Sequence, residues 1–532
     1  MENLLIIDEE LGEAGLKILS EDTNATFEVA NDWSKTEILE RIGRFDGIIT
    51  GPHTVIDSEI INAAGRLKVI GCTGIRVRNI DIDAATRKGV MVINTPQANA
   101  VSAAEHTMAL MLAACRRIPQ AYNAMRAGDH DPKPWHGIDL HGKTLGIIGL
   151  GAIGRLVATR AQAFGMTVMA VDPYISELVG RELGVILVDI DDLLEESDII
   201  SLHSVVSEET LEIINAETLK QIKDGAVLVN ITSSRLVQPD VVAEALRSGK
   251  LAGVAFDGSF DEDVSLDPFT SLDYAIQTPS LATRSEEAIA AVSAEIVTNA
   301  LAAARNQSYR NVVNLAWPNG AELKDVQPYI ELAETIGRLQ SQLAPAKINK
   351  VEIEVSGEDM RPMVRPMAAG LLTGLLEQEV PDVNRVNAPF LAKDHGVQIT
   401  QEYGIEEADY SNLITCRVHW RDEAGNDSCR VIAGVLFGGR EPRIVQVEDY
   451  RIEAMPEGII LVLRNKDVPG VIGQVATLLA TYNVNIAEWR LGRTAPGGEA
   501  LSFINLDGEP PEAVLHALEQ APAVTGVDLV QV

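Results

Sequence analysis

The sequence predicts an α/β chain: two lobes on doubly wound parallel sheets, then an α+β module, then a ferredoxin-like C-terminal domain. Three observations predict this. Apolar β-type runs alternate with helical stretches as far as Ala304. A strand, a glycine-rich turn, a helix and a second strand ending on an acid occupy Thr144–Asp172. From about Pro456 the order is strand, helix, strand, strand, helix, strand.

At 532 residues the chain exceeds the ~250–300 that one core accommodates, so several domains are expected. Its 46% apolar content is ordinary for a globular protein, and no uninterrupted apolar run reaches the ~18 residues of a membrane span. The opening MENLLIIDEE is acidic and enters a strand directly, unlike a signal or transit peptide. Cys72, Cys115, Cys416 and Cys429 lack metal-ligand spacing, so they read as reduced thiols of a cytoplasmic protein with no metal. A net charge of −33 argues against nucleic acid or anionic membrane as a partner. It fits either simple solubility or a salty cytoplasm.

In order, Leu4–Asp8 reads as a strand and Leu11–Leu19 as a helix. Thr26–Val29, Lys35–Ile42 and Gly47–Thr50 repeat the pattern. Helix Asp57–Ala64 and strands Leu67–Gly71 and Val90–Asn94 complete a first lobe. Ser102-Ala103-Ala104-Glu105 has the form of a capping box opening a helix through Arg117. A second sheet comes next, through Leu145–Ile148, Thr167–Val171, Asp198–His203, Leu211–Ile214, Ala226–Asn230, Gly253–Asp257 and Ala275–Thr278, with a helix at Pro239–Ser248. Helix Ser285–Ala304 is expected to return the chain to the first lobe. From Glu322 the pattern changes: helices Tyr329–Leu343 and Met367–Glu377 mix with strands Lys350–Ser356, Val397–Tyr403, Leu413–Trp420 and Arg430–Val435. The last segment comprises Gly458–Arg464, Gly470–Tyr482, Asn485–Gly492, Glu499–Leu506, Pro511–Gln520 and Val524–Val532.

The turn Gly149-Leu150-Gly151-Ala152-Ile153-Gly154 carries the clearest chemistry. Its first glycine makes the tight turn, the second lets a pyrophosphate approach the backbone, and the third lets the helix, read over Arg155–Phe164, pack on the strand. The helix N-terminus offers unpaired N–H groups to the phosphates. Asp172 can accept both ribose hydroxyls and repels a 2′-phosphate, which favours NAD over NADP.

Further motifs accompany this turn: Ala84-Ala85-Thr86-Arg87-Lys88-Gly89, Ile93-Asn94-Thr95-Pro96, Val229-Asn230, Gly253–Asp257 and Phe269-Thr270-Ser271. Asn387-Ala388-Pro389, Phe437–Val445 and Asn465–Gly473 extend the set. Together they resemble the long-type D-3-phosphoglycerate dehydrogenases, a branch of the NAD-dependent D-2-hydroxyacid dehydrogenases. The resemblance spans essentially the whole chain. It implies a two-lobed Rossmann-like dehydrogenase followed by an intervening domain and an ACT domain. The implied division is 1–97 with 289–316 for the substrate lobe, 98–288 for NAD, 317–455 intervening and 456–532 ACT. It also implies oxidation of the C2 hydroxyl of 3-phosphoglycerate, hydride passing to NAD, on the phosphorylated route to L-serine.

Such chemistry needs a histidine base supported by a carboxylate, and an arginine for the substrate carboxylate. Carried onto this chain, the arginine position after Asn230 is Ser233 and the glutamate position after Asp257 is Glu262. The histidine position after Thr278-Pro279 is Ser280. Two of the three groups are absent. The resemblance assigns Ile231 and Asp257 to the cofactor, beside Gly149, Gly151, Ala152, Ile153, Gly154 and Asp172.

The substrate loops differ too. Gly74-Ile75-Arg76-Val77-Arg78-Asn79 has Arg76 where a glycine is expected, and Gly51-Pro52-His53 lacks the phosphate donors. Arg76, Arg78 and Asn99 are the substrate-loop candidates, with Arg235 and Arg284 near the same loops. His53, His106 and His203 read as ordinary structural histidines. In the ACT domain, Asp467 and Asn485 stand at positions that contact an amino-acid effector such as L-serine in relatives; dimer contact alone is the alternative. Lys347, Lys350, Arg361, Arg365, Lys393, Arg440 and Arg443 suit an anion site or a solvated face. Two functions remain open. One is a dehydrogenase for a small anionic 2-hydroxy acid. The other is a non-catalytic NAD- and amino-acid-binding homologue that regulates an active paralogue. A homo-oligomer is expected in either case, through ACT strand edges.

Overall fold

A computed structural model describes the chain except for residues 9–10, 76, 259, 261–266, 308, 316–317, 319–322, 359, 405–409 and 423–424. It divides into two compact units. One comprises Met1–Glu9, Ile18–Asn94 and Ile296–Val532; the other comprises Glu10–Lys17 and Thr95–Glu295.

In the second unit, seven parallel strands run in the order Ala275–Thr278, Leu251–Asp257, Ala226–Asn230, Ile199–Leu202, Thr144–Ile148, Thr167–Val171, Ile186–Leu187. The alternation of side chains splits its core in two. Leu145, Ile147, Val227 and Val229 face one layer, while Ile148, Leu228 and Val254 face the other. The strand order reverses between Thr144–Ile148 and Ile199–Leu202, which is where a crevice opens in such sheets.

Several expectations need correction here. The capping box at Ser102 does not form. Helix Ala100–Arg116 begins three residues earlier, with Asn99 rather than Ser102 at its N-cap. Ser102 Oγ instead donates to the Ala282 carbonyl at 2.9 Å, and Glu105 pairs with Arg160 at 3.1 Å. Arg117 takes a left-handed conformation (φ 54°) and a separate helix, Ile118–Arg126, comes after it. Leu211–Ile214 is a turn whose Ile214 makes a lone bridge to Val237. The helix after the glycine turn spans Ala152–Ala163, so Gly154 lies in its first turn.

The other unit holds three sheets. The first is parallel, in the order Ala25–Val29, Glu2–Ile7, Gly47–Thr50, Val69–Cys72, Met91–Ile93. Over Gly71 of that sheet packs Ile296 of helix Glu286–Ala304. By length and composition alone this helix could cross a membrane, although Ser293, Glu295, Thr298 and Asn299 interrupt its apolar run. An 18-residue window within it averages a hydropathy of 1.3, and half of that window is buried. A core helix meets the same description.

The next sheet runs Gln398–Gly404, Ile348–Ser356, Leu413–Arg421, Asp427–Phe437, Glu441–Val447, Tyr450–Ala454. Its last two strands go beyond what the apolar pattern predicts. The helix before it starts at Leu323, ahead of the expected Tyr329, and contains Pro328, a residue type that more often marks a boundary. The final sheet is antiparallel in the order Ile486–Arg493, Glu499–Leu506, Ile459–Lys466, Val524–Gln531, with helices Val471–Thr481 and Glu512–Glu519, as a ferredoxin-like fold requires. Arg464 in this sheet pairs with Asp528 at 2.7 Å and with Glu448 at 3.3 Å, and Arg430 shares Glu448 at 3.3 Å.

None of the four cysteines takes part in a disulfide. Burial pushes the thiols of Cys72, Cys115 and Cys416 up to about 12, while Cys429 is exposed.

Candidate functional site

The glycine turn is built by steric exclusion. Gly149 holds φ 97°, and a β-carbon there would lie 2.6 Å from Ser204 N. A β-carbon on Gly154 would strike the Gly149 carbonyl oxygen, so only glycine lets the helix start this close to the strand end. Gly151 differs: nothing lies within 4 Å of where its β-carbon would be. The space above Gly151 is therefore open, and no side chain caps the helix N-terminus there. An uncapped helix end beneath open backbone fits a pyrophosphate. Asp172 receives Leu150 N (2.8 Å) on Oδ2 and Tyr174 N (2.9 Å) on Oδ1, so it braces the turn. Each carboxylate oxygen keeps a lone pair for a ribose hydroxyl. Ala152 and Ile153 open the helix, and Ile231 is nearly buried beyond the end of strand Ala226–Asn230.

A second cluster surrounds Asp257. Its Oδ1 accepts from Thr278 Oγ1 (2.6 Å) and Leu281 N (2.7 Å), and its Oδ2 from Ala282 N (2.7 Å). His106 Nε2 lies 3.1 Å from Thr278 Oγ1 and 3.5 Å from Asp257 Oδ1. Burial alone would raise the Asp257 carboxyl. The bonds from His106, Thr278, Leu281 and Ala282 outweigh it and hold the group at about 2. The carboxylate thus shapes the loop carrying Ser280, which is exposed at φ 56°. Asn230, itself buried, donates to the Ser233 carbonyl at 2.8 Å and accepts from Thr232 N at 3.0 Å. Ser233 Oγ accepts from Arg235 N at 3.3 Å. Asn230, Ser233, Asp257 and Gly258 line one shallow depression with Phe256 and Phe260. Ser233 and Asp257 are therefore brought together.

Glu262 and Arg76 lie outside the described residues. Arg78 is exposed on the first-lobe loop, where the neighbouring Asn79 donates to the carbonyls of Gly51 (2.9 Å) and Thr54 (2.6 Å). Asn99 is buried, and its Oδ1 has no hydrogen-bond partner among the described residues. In the C-terminal domain Asp467 is engaged by Gly497 N (3.1 Å) and Arg493 (3.0 Å), which hold its carboxyl below the usual range. Asn485 donates to Asp507 at 2.6 Å. Both expected effector residues therefore already have partners within their own domain.

Sequence reasoning missed the placement of His106, for which no local signal exists: its partner Thr278 is 172 residues away. His203 sits at the sheet reversal with Nε2 2.8 Å from Ser201 Oγ, and burial lowers it to about 4. It is neutral at neutral pH. His53 is exposed. Among the described residues, no group of three His, Cys, Asp or Glu is placed to hold a metal.

Comparison with known proteins supplies three matches along the chain. Residues 108–282 match the D-isomer specific 2-hydroxyacid dehydrogenase, NAD binding domain. Residues 325–448 match the D-3-phosphoglycerate dehydrogenase intervening domain, and residues 459–523 the ACT domain. A D-3-phosphoglycerate dehydrogenase of Methanocaldococcus jannaschii is 35% identical over 528 residues, covering 99% of each chain. That of Archaeoglobus fulgidus is 35% identical over 509 residues, covering 95% of each. Among solved structures, the TT0316 protein of Thermus thermophilus is 32% identical with a TM-score of 0.52, covering 58% of this chain and 99% of its own.

Proposed function

Because the chain belongs to the D-3-phosphoglycerate dehydrogenase family, we propose that it is an NAD-binding member whose proton-transfer machinery is missing, so that phosphoglycerate is turned over poorly. NAD, when bound, supplies the hydride acceptor. The rest falls to the chain. Gly151 and the uncapped helix receive the pyrophosphate, Asp172 receives the ribose, and Asp257 fixes the loop beside the reacting end. The observation that carries the reading is the pair Ser233 and Ser280. A serine hydroxyl titrates far too high to take a proton unaided near neutral pH, and it carries no charge for a carboxylate. Each missing group typically contributes ~10²–10⁴ in rate, so their joint loss costs ~10⁴ or more.

The site residues named above, including Glu262, Arg76, Arg78, Asn99, Asp467 and Asn485, belong to this proposal, as does the division at residues 97, 288, 316 and 455. Four cysteines outside any disulfide support a cytoplasmic setting. A second reading, a non-catalytic regulatory partner that binds NAD and an amino acid, is supported by the C-terminal ACT domain.

The test pairs NADH titration by fluorescence with phosphoglycerate oxidation under trapping of the ketone product. NADH binding with turnover at least ~10⁴-fold below an ordinary dehydrogenase rate of ~1–10³ s⁻¹ is expected. Ser233→Arg with Ser280→His should raise turnover by ~10² or more. Brisk turnover by the unaltered chain overturns the reading, and no gain in the double variant favours the regulatory one.

A further inference from the structure

We infer that His106 is a positioning residue for the nicotinamide end of NAD, acting through Thr278 and Asp257; this rests on the NAD-binding reading above. Helix Ala100–Arg116 holds the loop after strand Ala275–Thr278 at two points. Ser102 Oγ donates to the Ala282 carbonyl at 2.9 Å, and His106 Nε2 lies 3.1 Å from Thr278 Oγ1. Ser102 and His106 are four residues apart, so they share one face of the helix.

The direction of these hydrogen bonds is forced. Asp257 is ionised, its carboxyl held at about 2, and a carboxylate only accepts. The single hydrogen of Thr278 Oγ1 therefore goes to Asp257 Oδ1 at 2.6 Å; the other acceptor near it, the Phe256 carbonyl, is 3.5 Å away. The Thr278 oxygen is left to accept, so His106 Nε2 carries the hydrogen. The ring also lies 3.5 Å from Asp257 Oδ1 and helps to keep it ionised. A relay of donors thus runs from imidazole to hydroxyl to carboxylate. The His106 side chain is 19% exposed and that of Asp257 3%, so water competes little with these bonds.

The relay decides which acceptor stays free. Oδ1 is filled by Thr278 Oγ1 and Leu281 N, while Oδ2 receives only Ala282 N among the described residues. Oδ2 therefore keeps a lone pair. Asp257 ends strand Leu251–Asp257 and Asp172 comes after strand Thr167–Val171, on opposite sides of the reversal in strand order. With the adenosine ribose on Asp172, the far end of the dinucleotide falls to Asp257. That end carries a carboxamide, whose N–H groups suit a spare carboxylate lone pair. The loop also holds Ser280 at φ 56°, a conformation that a non-glycine residue keeps only where its surroundings impose it. The contacts of His106 and Ser102, at Thr278 and Ala282, flank Ser280 and impose it.

Calorimetric titration of the full chain with NADH and with ADP-ribose tests this. ADP-ribose carries both phosphates and the adenosine but no nicotinamide, so it reports the glycine turn and Asp172 alone. His106→Leu should weaken NADH about tenfold and leave ADP-ribose within about twofold. His106→Gln, whose amide can still donate to Thr278, should keep NADH within about threefold of the parent. In the chain without ligand, hydrogen exchange on peptides covering 278–285 should quicken about tenfold in the leucine variant and not in the glutamine one. A leucine variant that weakens both ligands alike or neither, or whose loop exchanges as the parent's does, overturns the role assigned to His106. A parent chain that binds neither ligand overturns the NAD-binding reading itself, and this role with it. Should the leucine variant not fold, His106→Asn, polar but too short to reach Thr278, is read by the same criteria.

Discussion

Replacing Asp257 by asparagine removes the charge at the centre of the loop that carries Ser280. The carboxylate accepts from Leu281 N and Ala282 N on different oxygens, each at 2.7 Å, and from Thr278 Oγ1 at 2.6 Å. An asparagine has one acceptor oxygen, so its NH₂ must face one of the two backbone N–H groups. Hydrogen bonds to a charged group contribute ~1.5–3 kcal/mol, and a buried donor left without a partner costs ~1–3 kcal/mol. The loop should thus lose about 3 kcal/mol of protection against local opening, or ~10² in the opening constant. Titration gives an independent figure. A carboxyl held at about 2 in the fold and at 3.8 outside it contributes ~2 kcal/mol, fully present above pH 3.8 and lost as the pH falls through about 2. Hydrogen exchange read by mass spectrometry on peptides covering 278–285 measures this directly. The Leu281 and Ala282 amides should exchange ~10²-fold faster in Asp257→Asn, with strand Thr144–Ile148 unchanged. Exchange within about threefold of the parent would refute this account of the loop.

Two further expectations concern the cofactor lobe. Gly151→Ala should weaken NADH binding tenfold or more while leaving thermal melting unaltered, because its β-carbon meets only open space; Gly154→Ala should lower both, since its β-carbon meets the Gly149 carbonyl. Fluorescence titration and calorimetry separate the two, and equal melting losses would contradict the geometry. His203 is held neutral, at about 4 against 6.5 when unfolded, so its contribution is full above pH 6.5 and is lost as the pH falls toward 4. Unfolding free energies from urea titrations between pH 7.5 and 4.5 should fall by up to ~3 kcal/mol in the parent, with a flatter profile in His203→Gln. Parallel profiles would contradict this.

How much of this was legible in the sequence depended on range. Strand Thr144–Ile148 was plain because a strand buried on both faces is continuously apolar, and the glycine spacing defined the turn and helix after it. Ser233 and Ser280 were legible as replacements because Asn230, Asp257 and Thr278-Pro279 mark their positions by count. The start of helix Ala100–Arg116 was misjudged because Ser102 and Glu105 fit a local rule, whereas their partners, Ala282 and Arg160, are distant in sequence. Helix Ile118–Arg126 escaped notice because Arg117 and Pro119 break the pattern. The pairing of Asp467 with Arg493 was equally invisible, since nothing in the turn before Pro469 names a partner across a hairpin.

The distribution of thiols has a practical consequence. Cys429 sits exposed in the intervening sheet, so one dye molecule attaches to the native chain at a known address. The three buried sulfurs each belong to a different layer: Cys72 to the first sheet, Cys115 to the long helix of the cofactor lobe, Cys416 to a central strand of the intervening sheet. Brief alkylation pulses during denaturation would therefore time-stamp the opening of each layer separately, and peptide mapping would read out the order in which this multidomain protein comes apart.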